Sequence, residues 1–151
     1  MVSFIRGVKM FNYLTDDTKI INLTKHDIYI FAKVNENDKL IPVDNVNYKE
    51  RFSLVNNKLK IIAMFPKHEG NTPRCSTSTK QLQKFKGIPI IKYEFGEVSN
   101  LPPEKEGVRY IVSARTGMKA KLAGRNDLFI PSFMVLNAES KIVGCMQLAV
   151  N

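Results

Sequence analysis

A serine, an arginine and a threonine stand together at the start of a predicted helix, where they could bind an anion. Residues 108–112 predict a buried strand that leads directly into Ser113, a residue type that caps helix N-termini. The first amide N–H groups of a helix have no acceptor within it and carry partial positive charge. The first turn, residues 114–117, reads Ala-Arg-Thr-Gly and contains no acid to offset that charge. We therefore predict a phosphate or carboxylate site in which the Ser113 and Thr116 hydroxyls bond the anion and Arg115 clamps it.

The same residues also fit an ordinary helix cap. In that interpretation Ser113 only closes the helix end, and Arg115 points to solvent or pairs with Glu94 or Glu97. Ordinary caps are far commoner than anion sites at helix ends. The local sequence leaves both interpretations open.

The excess positive charge is concentrated in two segments. The chain has 151 residues with 23 Lys and Arg against 14 Asp and Glu, a formal net charge of +9. Residues 70–93 and residues 107–126 contain no acid, and the rest of the chain is almost neutral. We expect an anion-facing surface if the two segments fold near each other, with Arg125 beside the phosphates and Arg109 and Lys119 as outer charges. The basic residues of the two segments are Arg74, Lys80, Lys84, Lys86 and Lys92, then Arg109, Arg115, Lys119, Lys121 and Arg125.

Other familiar chemistry has little support in the sequence. The glycine spacings of nucleotide-binding loops do not occur. His26 and His68, the only histidines, have no metal-ligand spacing, and Cys75 and Cys145 are too few for a disulfide scaffold. A Cys75–His68 or Cys145–His26 nucleophile pair stays formally open, but nothing local marks it. We predict no catalytic residue, no cofactor and no metal.

The aromatic residues are dispersed through apolar segments and do not alternate with Lys and Arg. This distribution does not indicate a surface on which single-stranded nucleic acid stacks, although Phe85, Tyr93 and Phe95 next to the first basic segment leave that interpretation open.

The pattern of short apolar runs predicts a single α+β domain over residues 19–151 with a largely antiparallel sheet. One helix is well marked, at residues 114–123, with Gly124 as its C-terminal cap. A second short helix over residues 80–85 is weakly indicated, and residues 66–79 have the composition of an exposed loop. The predicted strands span residues 19–23, 27–34, 40–41, 52–55, 59–64, 88–95, 108–112, 127–130, 133–136 and 142–148.

Two local features complete the predicted organisation. Residues 52–55 and 59–64 flank two consecutive Asn residues and predict a hairpin. Residues 1–18 precede the patterned sequence and are expected to form a loosely attached arm. Because no apolar run reaches the roughly 20 residues of a membrane span and no secretory signal is apparent, we expect a cytoplasmic protein with no membrane partner.

Four sequence motifs stand out along the chain. They are Ile21-Asn22-Leu23-Thr24-x-His26, Phe95-Gly96-Glu97-Val98 followed by Leu101-Pro102, Glu106-Gly107 followed by Tyr110-Ile111-Val112-Ser113-Ala114, and Gly124-Arg125-x-Asp127-Leu128-x-x-Pro131. With these motifs the chain resembles a family of small, mostly uncharacterised proteins found in phage, prophage and bacterial genomes. The resemblance implies a viral or prophage accessory role, in which small proteins often bind a host defence component or a defence signal, and it supplies no catalytic residues.

Together these observations lead to one main functional expectation and two alternatives. We expect a non-enzymatic binder of an anionic small molecule, a nucleotide or a nucleotide-derived immune signal, that counters host defence in the host cytoplasm. The first alternative is a module whose basic face docks on a host defence protein or on nucleic acid. The second is a small hydrolase or transferase acting on a phosphorylated substrate. Exposed strand edges also point to a homodimer as a candidate assembly.

Overall fold

A computed structural model describes residues 4–5, 8–9, 14–46 and 49–150 of the chain. These residues form twelve strands and one helix. The elements are β1 Phe4–Ile5, β2 Val8–Lys9, β3 Lys19–Asn22, β4 Ile28–Lys33, β5 Pro42–Val46, β6 Lys49–Ser53, β7 Leu59–Phe65, β8 Arg74–Phe85, β9 Ile88–Ser99, β10 Val108–Ile111, α1 Ala114–Leu122, β11 Leu128–Leu136 and β12 Ile142–Ala149.

Six of the strands form a closed ring. Hydrogen bonding runs in the order β3, β10, β11, β12, β4 and β7. The two ends of this path meet, because Asn22 at the end of β3 forms a parallel bridge with Lys67 just after β7. Strand β6 pairs with the second half of β11, and β5 pairs with β6. The predicted α+β class is confirmed, and the ring contains parallel pairs such as β3 with β10 beside its antiparallel ones.

The interior of the ring is an apolar core to which all six strands contribute. Alternate residues of a strand point to opposite faces, so each strand sends one row of side chains inward. Cys145 lies at the centre, fully buried, and burial raises the pKa of its thiol above the ordinary value. The inward-facing residues are Ile20, Ile28, Ile30, Ala63, Phe65, Ile111, Phe129, Met134, Cys145 and Leu148.

A second core covers the outer face of β10. Helix α1 packs there, with Ala120 buried against Tyr110, Val112 and Leu128. All four residues of β10 are therefore buried, because the ring interior covers one face and the helix covers the other. This double burial explains the nearly continuous apolar run that marked residues 108–112 in the sequence.

The ring closes on one buried side chain, Asn22, which is 2% exposed. Its Nδ2 donates to the carbonyls of His26 at 2.7 Å and Phe65 at 2.9 Å. Its Oδ1 accepts from the amide and the hydroxyl of Thr24 at 2.9 and 2.6 Å. The backbone carbonyl of the same residue accepts from the amide of His68 at 2.9 Å. The Asn22 side chain thus joins the ends of β3 and β7. It also fixes the loop that leads from β3 to β4.

The predicted hairpin between residues 52–55 and 59–64 is wrong. Strand β6 pairs with β11, and β7 pairs with β4. The Asn57 side chain, which favoured a tight turn, instead bonds the amide and carbonyl of Ile41 at 2.8 and 2.9 Å. The two Asn residues do lie in a turn, but the strands on either side of it pair with strands that are distant in the sequence.

The predicted helix over residues 80–85 is also wrong, because these residues belong to β8. Strands β8 and β9, each twelve residues long, form an antiparallel hairpin. Its turn is Lys86-Gly87, with φ of 50° and 78°. Positive φ at both turn positions matches the twist of a two-residue hairpin. Pairing with the β-branched strand β9 outweighs the modest helix propensity of the Lys and Gln residues. The loop predicted over residues 66–79 therefore ends where β8 begins, at Arg74.

The segments 127–130 and 133–136, predicted as two strands, belong to the single strand β11, which begins at Leu128. Phe133 interrupts it with a φ of 57°, a left-handed conformation that is rare for a bulky residue. Before this kink β11 pairs with β10, and after it with β6. The kink allows β11 to pair with β10 along its first part and with β6 along its second part.

The arm predicted over residues 1–18 lies largely outside the described residues, which in that stretch are 4–5, 8–9 and 14–18. Within the described ranges, no helix has the length and apolar character needed to cross a membrane.

Replacing the closing side chain should destabilise the fold. We expect Asn22→Ala to lower the free energy of unfolding by about 2 to 3 kcal/mol, because the carbonyls of His26 and Phe65 and the amide of Thr24 all lose their buried partner. Urea unfolding measures the loss. Asn57→Ala is the matched control, since Asn57 also bonds several backbone groups but lies where water can replace it. Equal losses in the two variants would contradict the role assigned to Asn22.

Candidate functional site

A cleft of about 480 Å³ opens at the N-terminus of α1. Three separate segments line it: residues 23–26 after β3, residues 72–75 at the start of β8, and the junction between β10 and α1. The Asn22 bonds described above hold the first segment, since the side chain binds both Thr24 and His26. The cleft therefore depends on the closure of the ring.

The helix end that faces the cleft has the predicted cap. Ser113 has an extended backbone with ψ of 156°, its Oγ accepts from the amide of Thr116 at 3.4 Å and it donates to the Thr116 hydroxyl at 3.0 Å. The first turn contains no acidic residue. Among the described residues, the amides of Ala114 and Arg115 have no hydrogen-bond acceptor. These N–H groups and the helix dipole make the end attractive to a negative charge.

Cations from both basic segments border the cleft. Arg74 comes from the first segment and Arg115 from the second, and Lys25 adds a third positive charge. The Arg115 guanidinium lies 5.6 Å from the centre of the Phe95 ring, a cation–π distance that holds it beside the opening. In the described part of the chain, no Asp or Glu lines this cleft. Its net charge is therefore positive.

Arg125, predicted to bind phosphate, instead forms an internal ion pair. Its Nε and Nη2 donate to the two carboxylate oxygens of Asp127 at 3.0 and 2.9 Å, and Glu104 lies 3.6 Å away. The hydrogen bond to Asp127 raises the pKa of Arg125 further above its ordinary value. This pair follows the C-terminal end of α1, whereas the cleft lies at the N-terminal end. The charge of Arg125 is thus neutralised away from the cleft.

The two predicted outer charges also lie apart from the cleft. Lys119 is in the last turn of α1, where a cation complements the negative end of the helix dipole. Arg109 is 6% exposed in β10, four residues before Ser113, and its Nη1 donates to the carbonyl of Val108 at 3.0 Å. Alternation along β10 turns Arg109 to the same side as Ile111, toward the ring interior. Of the six predicted site residues, the structure brings Ser113, Arg115 and Thr116 together.

Sequence reasoning missed several residues that line the cleft. Arg74 belongs to the first basic segment, but its position in the same cleft as Arg115 depends on how the hairpin of β8 and β9 packs against α1. Thr24 and Lys25 lie within the motif that begins at Ile21. The hydrogen bonds between Thr24 and the Asn22 side chain hold this motif in the cleft wall, and the sequence alone does not show them. The Cys75 thiol, also in the cleft wall, donates to the carbonyl of Gly96 at 3.3 Å.

Comparison with known proteins adds no further constraint: no protein-family model, no curated protein and no solved structure matches the chain. Three cations and four hydroxyl-bearing residues line an opening with apolar walls, next to a helix end where two amides have no acceptor among the described residues. This arrangement is suited to binding an anion.

The internal ion pair gives a prediction that separates structural from ligand-binding charges. We expect Asp127→Asn to lower the free energy of unfolding by about 1.5 to 3 kcal/mol, because the paired carboxylate is buried and charge-assisted bonds are strong. The matched control is Glu104→Gln, which removes a half-exposed carboxylate from the same arginine and should cost less than about 1 kcal/mol. Chemical denaturation of both variants tests this, and the reverse order of losses would refute it.

Proposed function

We propose that the protein binds a small phosphorylated ligand, of about the size of a nucleotide, in the cleft at the N-terminus of α1. The observation that carries the proposal is the meeting of the two basic segments, through Arg74 and Arg115, beside helix amides that have no acceptor. A phosphate group would satisfy those amides and pair with the guanidinium of Arg115.

The dimensions and walls of the cleft support a ligand larger than a single ion. Small-molecule sites usually measure about 300–1,000 Å³ and combine apolar walls with a few polar groups. The cleft, at about 480 Å³, lies within that range. Leu23, Pro73 and Val112 provide apolar wall surface, and the cations lie around it. A nucleoside would contact the apolar wall while its phosphate reaches the helix end.

The biological setting proposed for this binding follows the family resemblance. Proteins encoded by phages and prophages often act on host defence, and several defence pathways signal through phosphorylated small molecules. We place the protein among such accessory proteins, with a nucleotide-derived immune signal as its ligand and sequestration as its mode of action. The proposal requires binding alone, with no chemical step.

Loss of Arg115 should weaken this binding. We expect Arg115→Ala to weaken the affinity for the bound nucleotide at least tenfold, because one charge-assisted contact to phosphate contributes about 1.5–3 kcal/mol. Isothermal calorimetry with a panel of nucleotides and cyclic nucleotides provides the measurement. Lys121→Ala removes an exposed cation from the other end of the same helix and serves as the control.

Two results would discard the proposal. One is that the wild-type protein binds no nucleotide of the panel, and the other is that wild type and Arg115→Ala bind with equal affinity. Salt dependence adds a second criterion, because a cleft that holds one or two phosphates should lose affinity gradually with salt, whereas a broad basic face should lose it steeply.

A further inference from the structure

The hairpin of β8 and β9 is exposed along most of both faces. This exposure is unusual for a strand with as many apolar and aromatic side chains as β9. The two strands pair only with each other in the described part of the chain. Exposed fractions reach 64% for Tyr93 and 50% for Phe95. An isolated two-stranded hairpin gains little stability from burial, so the exposed apolar side chains of β9 indicate a surface that binds a partner.

The register of the hairpin sorts its side chains onto two faces. Directly opposed residues share a face, and neighbours along one strand alternate. Tyr93 pairs with Thr79 and Phe95 with Thr77, so both aromatic rings lie on one face with short hydroxyl side chains beside them. Phe85 pairs with Ile88 and lies on the opposite face. Two residues along a strand span about 7 Å, so the two rings lie side by side on this face.

This aromatic face runs directly into the cleft. Cys75 lies on the same face of β8 as Thr77 and also lines the cleft. The Arg115 guanidinium, which also lines the cleft, lies over the Phe95 ring. Cys75 and Arg115 therefore connect the cleft with the face of the hairpin that carries Phe95 and Tyr93. We refer to the exposed face of Ile91, Tyr93 and Phe95 as the aromatic stripe.

The charges along the aromatic stripe favour a polyanion. Lys84 pairs with Pro89 on the same face near the hairpin tip, so a cation lies at each end of a stripe of roughly 20 Å. Between residues 77 and 95 the one carboxylate is Glu94, and its pairing with Ser78 turns it to the opposite face. Bases stacked on the rings would have their phosphates near Arg115 and Lys84.

A second copy of the chain is poorly suited to pair with the edges of this hairpin. Lys80 and Lys92 stand directly opposite each other, and Lys84 and Lys86 follow toward the tip. Like charges at these positions repel another copy that would add its own strands to the hairpin edges. The partner that fits must supply negative charge and flat apolar surface together.

We propose that a single-stranded nucleic acid binds along the aromatic stripe, with one phosphate in the cleft and the next bases stacked on Phe95 and Tyr93. This inference rests on the proposed function for the phosphate in the cleft and extends it: the cleft that binds a small phosphorylated ligand also binds one phosphate of an oligonucleotide. The hairpin then acts as the platform that distinguishes a nucleic-acid strand from a free nucleotide.

The test compares deoxythymidine 5′-phosphate with 5′-phosphorylated oligothymidylates of three and six nucleotides by calorimetry. We expect the trinucleotide to bind at least tenfold more tightly than the mononucleotide. Tyr93→Ala should weaken trinucleotide binding roughly tenfold and leave mononucleotide binding unchanged, since one lost stacking contact has about that effect. Tyr93→Phe keeps the ring and should retain the affinity. Phe85→Ala, an exposed aromatic on the opposite face, is the matched control, and circular dichroism verifies that each variant is folded.

The outcomes distinguish the two proposals. If the mononucleotide binds but longer strands bind no more tightly, or if Tyr93→Ala leaves trinucleotide affinity unchanged, the aromatic-stripe inference is overturned and the cleft proposal stands. If trinucleotides bind through Tyr93 while no mononucleotide binds, the small-ligand proposal fails and the aromatic stripe stands. If no oligonucleotide binds and Tyr93→Ala instead disrupts a complex with an acidic protein, the stripe is a protein-docking surface and the inference is wrong.

Discussion

The buried amide of Asn22 is the interaction on which the rest of the structure depends. A ring of six strands requires its first and last members to meet, and here they meet through the side chain and backbone of that residue. The same amide binds Thr24 and the carbonyl of His26, so the loop that forms one wall of the cleft is fixed by the closure of the ring. Fold and candidate site therefore share one hydrogen-bond network.

Strand β10 transmits this constraint to the helix. It is held between the ring interior and the packed face of α1, which leaves its carboxyl end, and Ser113 after it, at a fixed place on the edge of the ring. The helix dipole adds partial positive charge at that point, and no carboxylate from the described residues offsets it. At the other end of the helix, Asp127 neutralises Arg125. The difference between the two ends is what makes the N-terminal end the more attractive one for an anion.

The sequence anticipates the features that are local and fails where pairing is distant. Helix α1 follows from Ser113, its good helix formers and Gly124, because caps and propensity act within a few residues. The parallel pairs and the exchange of partners at Phe133 depend on residues far apart in the chain, which no local signal encodes. In the site, Ser113, Arg115 and Thr116 were adjacent in sequence and could be found, whereas Lys25 joins them only through the Asn22 bonds. The pairing of Arg125 was also locally visible, since Asp127 is two residues away.

Anion binding at the N-terminal end of α1 can be followed by nuclear magnetic resonance of ¹⁵N-labelled protein during a titration with inorganic phosphate at constant pH and ionic strength. If an anion binds there, we expect saturable shifts of the Ala114 and Arg115 amide resonances, with the amide of Gly124 at the other helix end unchanged. Unmoved Ala114 and Arg115 amides, with shifts confined to Lys84 and Lys86 at the hairpin tip, would contradict it.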